Sequence, residues 1–198
     1  LANIHLKTTD LSLYRENTLS IKYWSDLLNL INETPKDTYN KLYLDILNEY
    51  DFLINNWPSD LPRGIIHGDL FPDNIFFQNN KLTGVIDFYF ACDEFYIFDI
   101  AICINAWCFE SDNSFNITKA SHLLKGYKSL KNLTEDEVQF LPIMCRGSAL
   151  RFLLTRLLDW NKRDENVLVT PKDPSEYYNK LQFHQSVTSS TDYGIYDK

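Results

Sequence analysis

No apolar run in this chain reaches the roughly 18 to 20 residues that a membrane-spanning helix requires, so the sequence predicts no transmembrane segment. The opening LANIHLKTTD has neither a basic start nor an apolar stretch behind it, and no signal peptide is expected. Positive charge is in short supply: 19 Lys and Arg stand against 27 Asp and Glu, a formal charge of -8. That balance argues against a nucleic-acid partner. A multiply anionic small substrate would need local positive charge or a bound metal ion. A disulfide or a cysteine-based metal site is only the minor reading of the four cysteines. Cys92, Cys103, Cys108 and Cys145 form no CxxC pair, and no His stands at zinc-ligand spacing from two of them. They read as reduced core thiols of a cytoplasmic protein. No internal repeat or low-complexity block interrupts the chain.

What is present is enough apolar material for one domain with a proper core: 198 residues, 44% hydrophobic and 15% aromatic. Most of it carries helical spacing. Ser20 can cap a segment reaching Ile31, in which Ile21, Trp24, Leu27, Leu28 and Ile31 share one stripe. Thr34, Pro35 and Asp37 read as a helix start. Leu42, Ile46, Tyr50, Leu53 and Ile54 follow at helical spacing until WPSDLP ends the helix. FDIAICINAWCF, Phe98 to Phe109, is apolar nearly all round and predicts a central buried helix. NITKASHLLKGYKSL is amphipathic, and TEDE from Thr134 to Glu137 is a capping box. Pro142 reads as the start of a long helix to about Trp160 that carries Arg146, Arg151 and Arg156. A domain over 1–184 is then followed by a polar, aperiodic stretch, 185–198, read as a flexible tail.

The middle of the chain changes period. GII before His67 reads as a short strand. NIFF and LTGVIDF read as two strands joined by QNNK, where Asn79-Asn80 suits a two-residue turn because asparagine tolerates positive φ. Within IIHGDLFPDNIFF, Ile65 to Phe77, an apolar run is broken by His67, Asp69, Asp73 and Asn74. Burying such groups without partners costs several kcal/mol, so the cluster requires internal hydrogen bonds or a ligand. A turn centred on Asn79-Asn80 sets Asn74 near Val85, with Asp87 two residues further on at roughly 3.4 Å per residue. Asn74 and Asp87 thereby meet at one end of a hairpin, and Asp69 sits in the loop that feeds it. Two carboxylates and an amide oxygen are hard ligands that suit Mg2+ carrying phosphate oxygens.

His67-x-Asp69-x4-Asn74 also matches a kinase catalytic loop, with Asp as base and Asn as metal ligand. Asp87-Phe88-Tyr89 stands where the DFG aspartate supplies the second metal ligand, with tyrosine in place of glycine. Gly68 replaces the arginine of the protein-kinase loop, which points to a small-molecule kinase. The loop, the hairpin and the FDIA that follows resemble the aminoglycoside phosphotransferase and choline kinase superfamily. More narrowly, HGDLFPDNIFF…LTGVIDFYFACDEFYIFDIAICINAWCFE resembles the homoserine kinase family of the protein-kinase-like type. So do LANIHLKTTDLSLYRENTL and RGSALRFLLTRLLDW…VTPKDPSEYYNKLQFHQ, so that the resemblance covers most of residues 1–185.

The resemblance implies an α+β, mainly α fold: a protein-kinase-like C-terminal helical lobe with a small β-hairpin carrying the metal-binding residues. It implies Mg2+- and ATP-dependent phosphorylation of the L-homoserine hydroxyl to O-phospho-L-homoserine, a step of threonine biosynthesis. Enzymes of the family carry an N-terminal lobe with a phosphate-covering loop and a lysine for ATP. The resemblance sets Leu1 at the opening of the helical lobe, so the chain is expected to be a fragment, with an exposed apolar face where that lobe docks. A sister kinase for an amino alcohol or aminoglycoside, and a non-catalytic remnant lobe, are the competing readings.

Residue roles follow. Asp69 is expected to accept or orient the substrate hydroxyl proton, and Asn74 and Asp87 to hold Mg2+ on the ATP phosphates. His67 reads as structural, and Asp73 as a turn residue. Asp99, as the resemblance implies, accepts hydrogen bonds from the catalytic-loop backbone. A substrate carboxylate suits a guanidinium, which makes Arg146, Arg151 and Arg156 candidates, along with Arg15 and Asn17 in YRENTL. Asn105, Trp107 and Glu110, at the end of the central helix, are candidates for the substrate ammonium.

Overall fold

The computed structural model describes residues 1–32, 40–161 and 171–196. The architecture is mainly helical, with two small antiparallel sheets. Helix α1 (Ala2–Lys7) precedes α2 (Trp24–Asn32) and α3 (Asn40–Asn56). Strand β1 (Arg63–Ile66), hairpin strands β2 (Ile75–Gln78) and β3 (Lys81–Val85), and β4 (Cys92–Phe95) follow. The rest is α4 (Tyr96–Trp107), α5 (Ile117–Lys128), α6 (Glu135–Asn161) and α7 (Ser175–Ser186). Among the described residues no helix is long and apolar enough to cross a membrane.

Helix α4 is the core, as its all-round apolarity predicts: Ile97, Ile100, Ala101 and Ile104 are fully buried. Helix α6 lies along α4 and α7 and touches α2 and α3. Trp24, Leu28 and Ile31 of α2 and Ile46 and Leu53 of α3 supply the facing stripes, while Ile54 is left exposed. All four cysteines are free and buried.

The hairpin forms with the expected turn. Asn79 and Asn80 take φ of 50° and 58°, and β2 pairs with β3 from Ile75↔Val85 to Gln78↔Lys81, with an irregularity between Phe76 and Phe77. The pairing of β1 with β4, Arg63↔Phe95 to Ile66↔Cys92, is not signalled by any turn, because the partners are far apart in the chain.

Three local readings are corrected, and a fourth cannot be compared. Ser20 makes no side-chain cap; its segment begins as a 3-10 turn, Ile21–Tyr23, and α2 starts at Trp24. The indole of Trp24 donates to the Leu19 carbonyl at 2.9 Å and holds this tighter entry. The start read at Thr34-Pro35-Asp37 lies outside the described residues. The capping box does open α6, Thr134 N to Glu137 Oε2 at 2.8 Å and Glu137 N to Thr134 Oγ1 at 3.1 Å, but Pro142 then lies inside the helix rather than at its start. Proline lacks the N–H that would bond the carbonyl four residues back, here that of Val138. That carbonyl accepts instead from the Ser190 hydroxyl. This bond belongs to the third correction. The segment read as a loose tail folds back as a 3-10 turn, Ser190–Tyr193, with a capping box from Ser189 and Asp192. Tyr193 is fully buried and its hydroxyl meets His184 Nδ1 at 2.8 Å.

Candidate active site

The loop after β1 is built around a buried carboxylate. Asp99, on α4, is fully buried. Its Oδ2 accepts from the His67 amide at 2.8 Å and its Oδ1 from the Gly68 amide at 3.0 Å. His5 Nε2 lies 3.0 Å from the same Oδ2, and His5 Nδ1 lies 2.8 Å from the Tyr127 hydroxyl. Burial alone would raise the Asp99 carboxyl, but the His5 hydrogen bond and charge and the two loop amides more than offset it and hold it below the usual range. The loop is thus fixed from beneath by α4, α1 and α5. Spacing within the loop gives no hint of His5, since its partners lie 94 and 122 residues away.

Gly68 is required where it stands. Its φ is 75°, and a Cβ there would come within 2.7 Å of the Phe90 carbonyl oxygen. His67 is fully buried; its Nε2 lies 3.0 Å from the Ile86 carbonyl, and its ring packs on Phe88 at 4.7 Å. The imidazole therefore ties the loop to the hairpin beside Asp87.

Asp69, Asn74 and Asp87 line one open cleft of about 290 Å³, with Phe71, Asp73, Phe152, Arg156 and Lys172. A 3-10 turn, Pro72–Asn74, delivers Asn74 to the head of β2, and the Ile86 amide bonds the Asn74 carbonyl at 3.0 Å. The Asn74 Nδ2 donates to the Asp69 carbonyl at 2.8 Å. The amide's oxygen is then the end left to meet a ligand. Asp87 follows β3 with φ of 61°, in the left-handed region that aspartate tolerates. Burial pushes the Asp69 carboxyl above its ordinary value; Arg151 and His67 oppose this, and Asp87 adds to it.

Three carboxylates and two cations face this cleft, so it is not ready for a polyanion by itself. Among the described residues, no three His, Cys, Asp or Glu form a metal cage. Asn74 and Asp87 instead offer two oxygen donors, the pattern of a Mg2+ site completed by phosphate oxygens and water.

Of the cations proposed for the substrate, Arg146 is taken up elsewhere. Its Nε and Nη2 pair with Glu49 at 2.7 and 2.6 Å, against α3. Arg156 reaches the cleft but bonds Glu176 at 2.6 Å and the Asp173 carbonyl at 3.2 Å. Arg15 donates to the Tyr89 carbonyl, and Asn17 Nδ2 to Glu94 at 2.9 Å. Arg151 is buried, with Nη1 4.0 Å from Asp69 Oδ1. Asn105 is absorbed into the core: its Nδ2 bonds the Ala101 and Cys145 carbonyls and its Oδ1 meets His184. Trp107 donates to the Leu70 carbonyl at 2.8 Å, and Glu110 pairs with Lys119. Lys172, in the cleft, carried no signal beyond its place in the quoted VTPKDP.

The chain has relatives among known proteins. Residues 1–133 match the phosphotransferase enzyme family called APH. The chain belongs to that family. Its relatives include the homoserine kinase of Sinorhizobium medicae, 49% identical over 195 residues, with 98% of this chain and 60% of that protein covered. The homoserine kinase of Xanthobacter autotrophicus is 50% identical over 195 residues, with 98% and 61% covered. The chain spans about 60% of the length of the curated relatives it matches. Among solved structures, a choline/ethanolamine kinase family protein from Mesorhizobium loti superposes with a TM-score of 0.65 at 14% identity, over 93% of this chain and 60% of that one. An amicoumacin kinase in complex with AMP-PNP, Ca2+ and Ami gives 0.64 at 16%, over 96% and 57%. At such identities the likeness is one of fold, and the fold is the expected kinase-like one.

Proposed function

We propose that the protein containing this chain transfers the γ-phosphoryl group of ATP to the side-chain hydroxyl of L-homoserine, giving O-phospho-L-homoserine and ADP. The observation that carries the proposal is the convergence of Asp69, Asn74 and Asp87 on one cleft, with the Asn74 amide held by the Asp69 carbonyl. The homoserine kinases at 49–50% identity support the choice of acceptor.

In this reading Asp69 orients the acceptor hydroxyl and takes its proton as the phosphoryl group arrives. Its raised carboxyl suits that task. Asp99, His5 and His67 fix the loop so that Asp69 loses no geometry during the reaction. Asn74 Oδ1 and Asp87 would hold Mg2+, which when bound offsets charge on the β and γ phosphates. The outer face of the hairpin is the side toward a nucleotide-binding lobe of the longer protein. The cytoplasm is the proposed setting, in keeping with four free, buried thiols.

The test is a panel of acceptors offered with labelled ATP to the full-length protein. L-homoserine is expected to be the preferred acceptor. Preference for an acceptor without a carboxylate would overturn the assignment.

A further inference from the structure

The reading above leaves open what recognises the acceptor's carboxylate, and Arg151 is the side chain with an unspent donor. Only 5% of it is exposed. The guanidinium lies over the Phe152 ring at 4.0 Å and faces the Phe90 ring at 5.3 Å. Its Nη1 is buried without a hydrogen-bond partner. A buried charged donor left in that state is costly and calls for an explanation. The same Nη1 is the atom that stands 4.0 Å from Asp69 Oδ1, beyond hydrogen-bond reach. The unpartnered donor therefore stands beside the Asp69 carboxylate, behind the wall of the cleft. A small void of about 20 Å³ lies beside Arg151, bordered by Gly68, Phe90, Arg15 and Asn17, with room for about one oxygen-sized group.

The other candidates read from the sequence are spent; Lys172, also in the cleft, stands 5.6 Å from the Phe71 ring centroid. Arg146 is paired with Glu49, Arg156 with Glu176, Arg15 with the Tyr89 carbonyl and Asn17 with Glu94. We infer that Arg151 receives the acceptor's carboxylate and so selects hydroxy-amino acids over amino alcohols. This rests on the phosphotransfer reading above. The dimensions agree. An extended four-carbon hydroxy-amino acid spans roughly 5–6 Å from hydroxyl to carboxylate oxygen. Two hydrogen bonds of roughly 2.8 Å, laid outward from atoms 4.0 Å apart, accommodate that span. The flanking rings hold the guanidinium plane still, which lysine could not reproduce.

The full-length protein is assayed with labelled ATP against L-homoserine and 3-aminopropan-1-ol, the same skeleton without the carboxylate. Wild type prefers homoserine. In Arg151→Met both acceptors lose the charge beside Asp69, but kcat/KM for homoserine falls about 100-fold further than that for aminopropanol, so the preference collapses. Arg151→Lys keeps the charge and stem and loses about tenfold on homoserine alone; it decides the matter if a thermal melt shows the Met variant unfolded. An equal loss on both acceptors, or undiminished use of homoserine, overturns the assignment while leaving the phosphotransfer reading intact. A wild-type protein that phosphorylates neither acceptor overturns that reading and this one with it.

Discussion

At the scale of single residues, the site depends on groups that have nowhere else to go. Asp99 spends both carboxylate oxygens on the loop amides and His5, so the loop has one resting shape. Gly68 completes it, because the Phe90 carbonyl closes off the space where any Cβ would stand. Gly68→Ala is predicted to cost about 1–2 kcal/mol from the left-handed backbone alone. It should also lower turnover more than that loss implies, since Asp69 is the next residue. Thermal melting and kcat measured on one preparation check this; full activity at a lowered melting temperature would show that the loop tolerates the displacement.

At the scale of elements, the sequence was most legible where contacts are local. The Asn79-Asn80 turn carries its own backbone preference, and it sets the register that brings Asn74 beside Ile86 and Asp87. The capping box at Thr134 is likewise written in four adjacent residues. Helix α6 shows the limit. Pro142 reads locally as a beginning, yet the helix passes through it, and Ser190, 52 residues beyond Val138, serves the carbonyl that proline leaves unmatched. Ser190→Ala is predicted to destabilise by about 1 kcal/mol, read from the urea midpoint. A midpoint unchanged from wild type would mean that water serves Val138 equally well. The same reasoning explains why His5 and the β1–β4 pairing escape a reading of the sequence. Both depend on partners brought in by the whole fold.

At the scale of the molecule, α4, α6, α7 and the returning C-terminal segment meet around His184. It is fully buried between Asn105 Oδ1 and the Tyr193 hydroxyl. Burial pulls its imidazole from 6.5 down to about 3, with the nearby Lys180 and Arg146 charges adding to the effect. The folded state therefore favours the neutral ring. This contribution is whole above pH 6.5, where the unfolded chain is also neutral, and is lost progressively as pH falls from 6.5 toward 3. The urea midpoint should fall over that window, and more gently in His184→Gln. Equal slopes in the two proteins would remove His184 from the account.

The hairpin side of the molecule presents another whole-molecule property. Phe77, Leu82, Ile86, Phe88 and Tyr89 are all exposed, as are Leu13 and Tyr14. Large apolar side chains exposed in number favour association. The 198-residue chain prepared by itself is predicted to self-associate in sedimentation velocity, and Phe77→Ser with Tyr89→Ser to reduce it. A monomer at all concentrations would show that the face is tolerated in water.

Phosphoryl transfer is proposed to occur in the cleft shared by Asp69, Asn74 and Asp87. Its most direct measurement compares wild-type and Asp69→Ala full-length protein for transfer from labelled ATP to L-homoserine, with thermal melts alongside. A loss of about 10³–10⁴-fold in kcat with the fold retained is expected; a folded variant within tenfold of wild type would mean that the chemistry lies elsewhere.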